Sequence, residues 1–388
     1  MSQRLNKRLK PKAANNQLAA LVQARFQQAL ALYQNGQAVQ AQTLFEEILK
    51  VQPRHLEALH LLGVIAAQAK NLQRAVALFA KAIEINPNIA TFYFNRGLAL
   101  QELHQFEAAL ASYDQAIFIR PDDADTCLYR GNMLVQLEQP EAALASYDQA
   151  LALKPDYAEV WLDRGNILMQ LERPEAASAS YNQALALKPD YAEAHGNLGL
   201  ALQKLRQPEA ALASYDQALA LKPDYAEAWQ NRGNILIQLK KPEAALASYD
   251  QVIALKPDCA EGYSSRGNVC QELKQHQAAV ESYDKALAIR PDYEFLYGLR
   301  LNSKMWLCDF RDVGSQFMEL IKKIQGNEKA SSSFPVITLS ASLPLQRKAA
   351  EIWTTAKYPK NLLLGEIKKY PRHEKIRLGY FSMDFRIH

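Results

Sequence analysis

The sequence of 388 residues lacks the features that mark membrane and secreted proteins. No apolar run reaches the ~18–20 residues that a membrane-spanning helix needs, so we expect no membrane partner. The basic N-terminus is not followed by an apolar segment, which argues against a secretory signal. The four cysteines, Cys127, Cys259, Cys270 and Cys308, form no C-x-x-C pair. Their spacing predicts neither a zinc site nor a disulfide framework and favours a reducing, cytoplasmic setting.

Motifs for catalysis and metal binding are also missing from residues 21–293. His55 and His60 are five residues apart, which does not place them on one helical face, and no H-E-x-x-H sequence occurs. There is no glycine-rich phosphate loop and no G-x-S-x-G sequence. We therefore predict no metal, no cofactor and no catalytic constellation in this part of the chain.

Basic residues are scarce in the middle of the chain. Residues 21–293 carry 24 basic and 32 acidic residues, whereas residues 294–388 carry 16 basic and 9 acidic residues. Phosphate binding needs a basic stripe, so the acidic middle argues against nucleic acid as a partner. Residues 1–20 carry five basic residues and no acidic ones, and we predict a flexible, solvated tail there.

The dominant feature of the sequence is a period of 34 residues. Such a fixed period predicts a stacked array of helix pairs rather than one closed core. We number the positions of each unit from Leu56, Ala90, Ala124, Ala158, Ala192, Ala226 and Ala260. Glycine recurs at position 8 and proline at position 32, at Gly63, Gly97, Gly131, Gly165, Gly199, Gly233 and Gly267, and at Pro53, Pro87, Pro121, Pro155, Pro189, Pro223, Pro257 and Pro291.

Each unit predicts two helices, as the unit at 158–191 illustrates. The first helix is AEVWLDRGNILMQL and the second is PEAASASYNQALAL. Pro174 suits the first turn of the second helix, and Pro189 ends it, because proline cannot continue a helix. Gly165 allows the two helices to approach closely, with Tyr181 filling the space between them. We expect a leucine in place of Gly165 to overpack this contact.

Position 7 is unusual, because it carries arginine in most units. A buried charge needs a partner, and aspartate is frequent at position 25 of the preceding unit. We predict that these pairs join the second helix of one unit to the first helix of the next. The predicted pairs are Asp114–Arg130, Asp148–Arg164, Asp216–Arg232, Asp250–Arg266 and Asp284–Arg300.

Asparagines recur on one face of the first helices. Positions 2, 6, 9 and 13 share that face by their spacing. Asparagine is a poor helix former, so its repeated use needs a reason. Its amide can bind the backbone of an extended peptide; alternatively, these side chains only solvate an exposed helix face. The candidate groove residues are Asn95, Asn197 and Asn231 at position 6, and Asn132, Asn166, Asn234 and Asn268 at position 9.

The pattern of aromatic, Gly, Ala, Tyr and Pro positions resembles the tetratricopeptide repeat (TPR). The resemblance covers seven units over residues 56–293, preceded by a degenerate unit at 22–55. It implies an all-α, right-handed TPR superhelix (an α-solenoid). We assign residues 21–293 to eight units, 294–325 to capping helices, and 326–373 to a linker with a short helix.

The C-terminal residues carry a second resemblance. The stretches KMWLCDFRD, LPLQRKAAEIW and KIRLGYFSMDFRIH occur in this order behind the repeats. They resemble the passage from TPR arm to catalytic domain in the O-linked N-acetylglucosamine transferase (SPINDLY-like) family. The resemblance implies that residues 374–388 are the first strand of a GT-B glycosyltransferase lobe, an α/β remnant. It also implies that His388 corresponds to an active-site histidine.

We interpret the chain as the protein-recruiting arm of such a transferase, truncated at the start of its catalytic lobe. It would bind extended protein or peptide clients in its groove. UDP-GlcNAc or another nucleotide sugar would be used only by a full-length relative, and we expect no activity from these residues alone. The alternative is a free-standing TPR scaffold with an inert C-terminal remnant. A third possibility is an enzyme whose lobes lie on a longer or separate chain.

Overall fold

The computed structural model describes the backbone of residues 2–358 and the side chains of residues 17–358, and these residues are entirely helices and connections, without a strand. The predicted all-α array of helix pairs is therefore confirmed for this part of the chain. The helices are α1 (Ser2–Gln34), α2 (Ala38–Val51), α3 (Leu56–Gln68), α4 (Leu72–Ile85), α5 (Ala90–Glu102), α6 (Phe106–Ile119), α7 (Ala124–Gln136), α8 (Pro140–Leu153), α9 (Ala158–Gln170), α10 (Pro174–Leu187), α11 (Ala192–Lys204), α12 (Pro208–Leu221), α13 (Ala226–Gln238), α14 (Pro242–Leu255), α15 (Ala260–Glu272), α16 (His276–Ile289), α17 (Leu296–Trp306), α18 (Val313–Gln325), α19 (Ser333–Leu339) and α20 (Leu343–Lys357).

Tight left-handed turns join the two helices of a unit. In the unit at 158–191, Glu172 has φ 55°, and the N–H of Arg173 donates to the carbonyl of Leu168 at 2.8 Å. This bond pattern satisfies a carbonyl at the end of α9, as in a Schellman motif. The same turn recurs with non-glycine residues at position 15, namely Lys70, His104, Glu138, Glu172, Arg206, Lys240 and Lys274.

The contact between paired helices requires glycine at position 8. A Cβ atom added to Gly165 would lie 2.4 Å from the Tyr181 ring, which is far closer than side-chain packing allows. Tyr181 is fully buried, and Ala177 and Ala184 beside it on α10 are buried as well. The predicted glycine–tyrosine packing is thus confirmed, and it repeats in the neighbouring units with Phe79, Tyr113, Tyr147, Tyr215, Tyr249 and Tyr283.

The arginines at position 7 form the predicted links between units. Arg164 donates from Nε to Asp148 Oδ1 at 2.7 Å, joining α9 to α8. It also donates from Nη1 to Ser180 Oγ at 2.7 Å, and Ser180 in turn donates to the Ala176 carbonyl. The pattern of charged residues gave no indication of this serine. The other confirmed pairs are Asp114–Arg130, Asp216–Arg232 and Asp284–Arg300.

The chain divides into two compact units, residues 1–251 and residues 252–388. The first contains the array from α1 to most of α14. In the second, α17, α18, α19 and α20 enclose a core that includes Leu301, Leu320 and Val336. The N–H of Gly298 in α17 donates to the Ala330 carbonyl at 3.0 Å. A side chain at Gly298 would collide with Ser331, so glycine permits this close approach.

Two segments differ from the sequence-based expectation. The residues before position 21, for which we predicted a flexible tail, continue α1 back to Ser2. Leu, Arg, Lys, Gln and Ala favour helix, and extending an existing helix needs no new nucleus. In addition, α19 forms within the predicted linker, where Val336 is buried. The predicted strand at 374–388, including His388, lies outside the described residues.

Candidate functional site

The candidate site is the face that positions 6 and 9 of the first helices present in α5, α7, α9, α11 and α13. We call it the A-helix face. Asn95, Asn132, Asn166, Asn197 and Asn231 are half-buried there, and Asn234 is exposed. The seventh candidate, Asn268, is exposed on α15 in the second compact unit. Six of the seven candidates therefore lie in the first compact unit and one in the second, and two of the seven, Asn234 and Asn268, are exposed.

The asparagines at position 9 have a structural partner that the sequence analysis missed. The hydroxyl of Tyr147, a side chain almost wholly buried, donates to Asn132 Oδ1 at 2.7 Å, so the amide oxygen satisfies a polar group of the helix interface. The same bond joins Tyr181 to Asn166 at 3.0 Å, Tyr249 to Asn234 at 2.8 Å and Tyr283 to Asn268 at 2.9 Å. These asparagines are thus more than a solvated surface.

Units without asparagine at position 9 satisfy the tyrosine in another way. Position 9 is Leu98 in one unit, and there the Tyr113 hydroxyl donates to Gln101 Oε1 at 3.0 Å. Where it is Leu200, Tyr215 donates to Gln203 Oε1 at 3.3 Å. The first full unit has Phe79, which has no hydroxyl, together with Val64 and Ala67 at positions 9 and 12. The joint variation of positions 9, 12 and 24 was visible in the sequence.

Asn95 is held by a histidine. Its Nδ2 lies 2.9 Å from Nε2 of His60, whose ring also contacts the rings of Phe79 and Phe92. Burial lowers the pKa of His60, which keeps the imidazole neutral and able to accept this bond. One amide donor of Asn95 is therefore already used within the protein.

Asn197 and Asn166 are brought together across neighbouring units. Asn197 Nδ2 donates to Asn166 Oδ1 at 2.8 Å, and this oxygen is the one that also accepts from Tyr181. Both bonds fix the orientation of the Asn166 amide. Among residues 17–358, the Nδ2 groups of Asn132, Asn166 and Asn234 donate to no other protein group, so they are available to an acceptor on a ligand.

A polar hollow of about 480 Å³ opens on this face and spans α5 to α9. Its lining includes Gln101, Asn132, Tyr147, Asp163 and Asn166. Amide donors, an amide acceptor and a carboxylate thus converge on one space. This combination can hold a polypeptide backbone together with one of its side chains.

Asp163 gives the polar hollow its charge. Burial raises the pKa of Asp163 to about 6, with further contributions from the negative charges of Glu193 on α11 and Glu159 on its own helix. The phenol groups of Tyr147 and Tyr191 also face it. Within the described residues, the Asp163 carboxylate has neither a hydrogen-bond donor nor a basic partner. At position 6, where Asn95, Asn197 and Asn231 stand in other units, this unit carries aspartate.

Features of other functional classes are not found in the described part of the chain. No group of three or more His, Cys, Asp or Glu side chains there is arranged to hold a metal ion. Of the helices described between residues 2 and 358, none has the length and apolar character required to cross a membrane.

Known repeat families match most of the array. A family model described as TPR repeat matches residues 131–172 and 165–205, and models described as tetratricopeptide repeat match 26–90, 197–257, 78–111 and 260–293. Together these matches span 26–111, 131–257 and 260–293, more than half of the 388 residues. The chain matches none of the curated proteins with which it was compared.

The chain also aligns in part with several solved structures. YrrB, described as a TPR protein with an unusual peptide-binding site, is 26% identical with a TM-score of 0.44; the match covers 51% of this chain and 97% of YrrB. MamA is 25% identical with a TM-score of 0.41, covering 42% and 94% of the two chains. A tetratricopeptide repeat protein from Parabacteroides merdae is 18% identical with a TM-score of 0.48, covering 61% and 93%. By its family matches and its helix pairs, the chain belongs to the tetratricopeptide repeat proteins, whose repeats are protein-interaction modules.

Proposed function

We propose that the A-helix face binds an extended polypeptide client through its backbone. The observation that carries this proposal is the polar hollow, where oriented amides from α5, α7 and α9 surround an open space. Tyr147 and Tyr181 hold the oxygens of Asn132 and Asn166, which leaves the Nδ2 donors for peptide carbonyls. A peptide backbone offers such a carbonyl at every residue, so recognition would tolerate many sequences.

The test is peptide capture measured by fluorescence anisotropy. A fluorescein-labelled pool of unstructured 15-residue peptides is titrated with the full chain. Combined substitution of Asn132 and Asn166 by alanine, which removes both available Nδ2 donors from the polar hollow, should weaken capture several-fold. The control is Asn182→Ala, which removes an exposed amide from the second helix α10. Equal affinity of the Asn132/Asn166 double variant and the control would contradict the proposal.

We also propose that this interaction module is the client-recruiting arm of an O-GlcNAc-transferase-like glycosyltransferase. The support is the three C-terminal stretches, of which KMWLCDFRD spans the end of α17 and the connection to α18, and LPLQRKAAEIW begins α20. In this proposal the array supplies client binding, and the sugar transfer chemistry belongs to catalytic lobes.

Two experiments test this second proposal. The first is to read the coding sequence after His388, where a frame that encodes a glycosyltransferase lobe, open in phase or interrupted by a single stop or frameshift, would support the proposal. The second is to assay the 388-residue chain for UDP-GlcNAc turnover, and none is expected. UDP-GlcNAc turnover by the 388-residue chain alone would contradict the assignment of chemistry to other residues.

A further inference from the structure

A second hollow on the A-helix face differs in chemistry from the polar hollow. It has a volume of about 340 Å³ and lies between α3 and α5. Apolar side chains, among them Val64, Leu98 and Phe79, line most of it, and its polar lining consists of Gln68, Asn95 and the paired Lys70 and Glu102. Position 9 is apolar in both of these units, whereas it is asparagine in the units of α7 and α9. We call this space the apolar hollow.

The two hollows are close enough for one short peptide. The apolar hollow lies between α3 and α5, and the polar hollow is centred on α7, the next first helix. Packed helices are separated by about 10 Å, so the hollow centres are about 15 Å apart. An extended chain covers this distance in about four or five residues.

From these contacts we infer that the A-helix face selects clients carrying an apolar side chain four or five residues from a lysine or arginine. The apolar side chain would enter the space beside Val64 and Leu98. The cationic group would meet the carboxylate of Asp163, which has no basic partner among the described residues. This inference rests on the proposed binding of an extended polypeptide and adds to it the chemistry of the client.

Charge complementarity decides which side chain fits the polar hollow. Burial raises the pKa of Asp163, and the carboxylates of Glu193 and Glu159 raise it further, so a negative charge here is costly without a cationic partner. A guanidinium or ammonium group would relieve this repulsion and bind Asp163 with charge-assisted hydrogen bonds. An acidic side chain would add to the repulsion and should be rejected.

Two substitutions test the inference. Each introduces a residue that other units of the array already carry at the same position. Asp163→Asn places at position 6 the residue that Asn197 provides two helices later. Leu98→Asn places at position 9 the residue found there at 132, 166, 234 and 268. Glu175→Gln is the matched charge control, because Glu175 is exposed on α10. Circular dichroism would be used to check that each variant retains its helix content.

Labelled 12-residue peptides supply the test by fluorescence anisotropy. One contains Leu and Arg five residues apart; others replace Arg by Gln, replace Leu by Ser, or place Leu and Arg next to each other. Each is made in both chain directions. We expect the wild-type chain to bind the peptide with Leu and Arg about tenfold more tightly than the Gln and Ser peptides. This preference should hold for one of the two chain directions of the peptide.

The protein variants show which residue is responsible for each peptide preference. Asp163→Asn should abolish the discrimination between Arg and Gln, Leu98→Asn should abolish that between Leu and Ser, and Glu175→Gln should change neither. Equal affinity for all peptides, or an Arg preference that survives Asp163→Asn, would overturn the inference and leave the proposed backbone binding intact. Failure of every peptide to bind would instead refute the proposed function.

Discussion

The hydroxyl of Tyr147 on α8 donates to Asn132 Oδ1 on α7 at 2.7 Å. This bond assigns the asparagine two roles, since its oxygen serves the buried tyrosine while its nitrogen faces the polar hollow. Either interpretation of the asparagine series, peptide ligand or solvated surface, was therefore incomplete. A residue that stabilises the array can also present a donor to a client.

Removing the oxygen of Asn132 should destabilise the protein, and a substitution one turn later should restore it. Asn132→Leu leaves the buried Tyr147 hydroxyl without an acceptor, which costs about 1–3 kcal/mol. Adding Val135→Gln recreates the Leu200 and Gln203 arrangement that serves Tyr215. Urea unfolding measures both variants. If the double variant were no more stable than Asn132→Leu, the interchange of positions 9 and 12 would be wrong.

Gly165→Ala should destabilise the array even though alanine favours helix. The new Cβ would lie 2.4 Å from the Tyr181 ring, and moving this buried ring should cost about 1–3 kcal/mol. Gly314→Ala on α18 is the control, because nothing lies within 4 Å of its added Cβ. The control should be neutral or stabilising by up to about 1 kcal/mol. Thermal unfolding of the two variants distinguishes overpacking from helix propensity.

The Asp148–Arg164 bridge should show measurable coupling between adjacent units. A double-mutant cycle with Asp148→Asn and Arg164→Leu should give about 0.5–1 kcal/mol, since Asp148 is half-exposed and solvent screens the pair. The double variant reproduces the junction at Asn182 and Leu198, so it should fold normally. Repeating the cycle in 1 M NaCl should reduce the coupling. A coupling of zero in low salt would contradict this prediction, because the bridge would then add nothing to the free energy of unfolding.

Asp163 should make the protein less stable as the pH rises from about 4 to about 6. Its folded-state pKa of about 6 lies above the ordinary value of 3.8, so the folded chain binds this proton more tightly than the unfolded chain does. Above pH 6 the ionised group opposes folding by up to about 3 kcal/mol. Asp163→Asn should therefore be stabilising at pH 7.5 and nearly neutral at pH 4. Glu175→Gln is the control substitution. If Asp163→Asn stabilised the protein equally at pH 4 and pH 7.5, the raised pKa of Asp163 would not be the cause.

Particular residues separate what could be predicted from what could not. The period of 34, Pro174 at the start of α10 and Gly165 against Tyr181 followed from local propensity and steric fit, which act within one helix pair. The Asp148–Arg164 bridge followed from the need of a buried arginine for a partner and from the aspartate at position 25 of the preceding unit. The Tyr147–Asn132 bond was missed because spacing alone does not tell where a buried hydroxyl points.

The sequence by itself determined the helix pairs of the array, because these depend on residues at most a few turns apart that recur every 34 positions. Only the tertiary structure decided the two hollows and the charge state of Asp163. These properties arise from side chains of three or more neighbouring helices, where burial and nearby carboxylates set the local free energy of a charge. The periodic pattern fixes the repeat, and the departures from it, Leu98 and Asp163, distinguish one part of the A-helix face from the next.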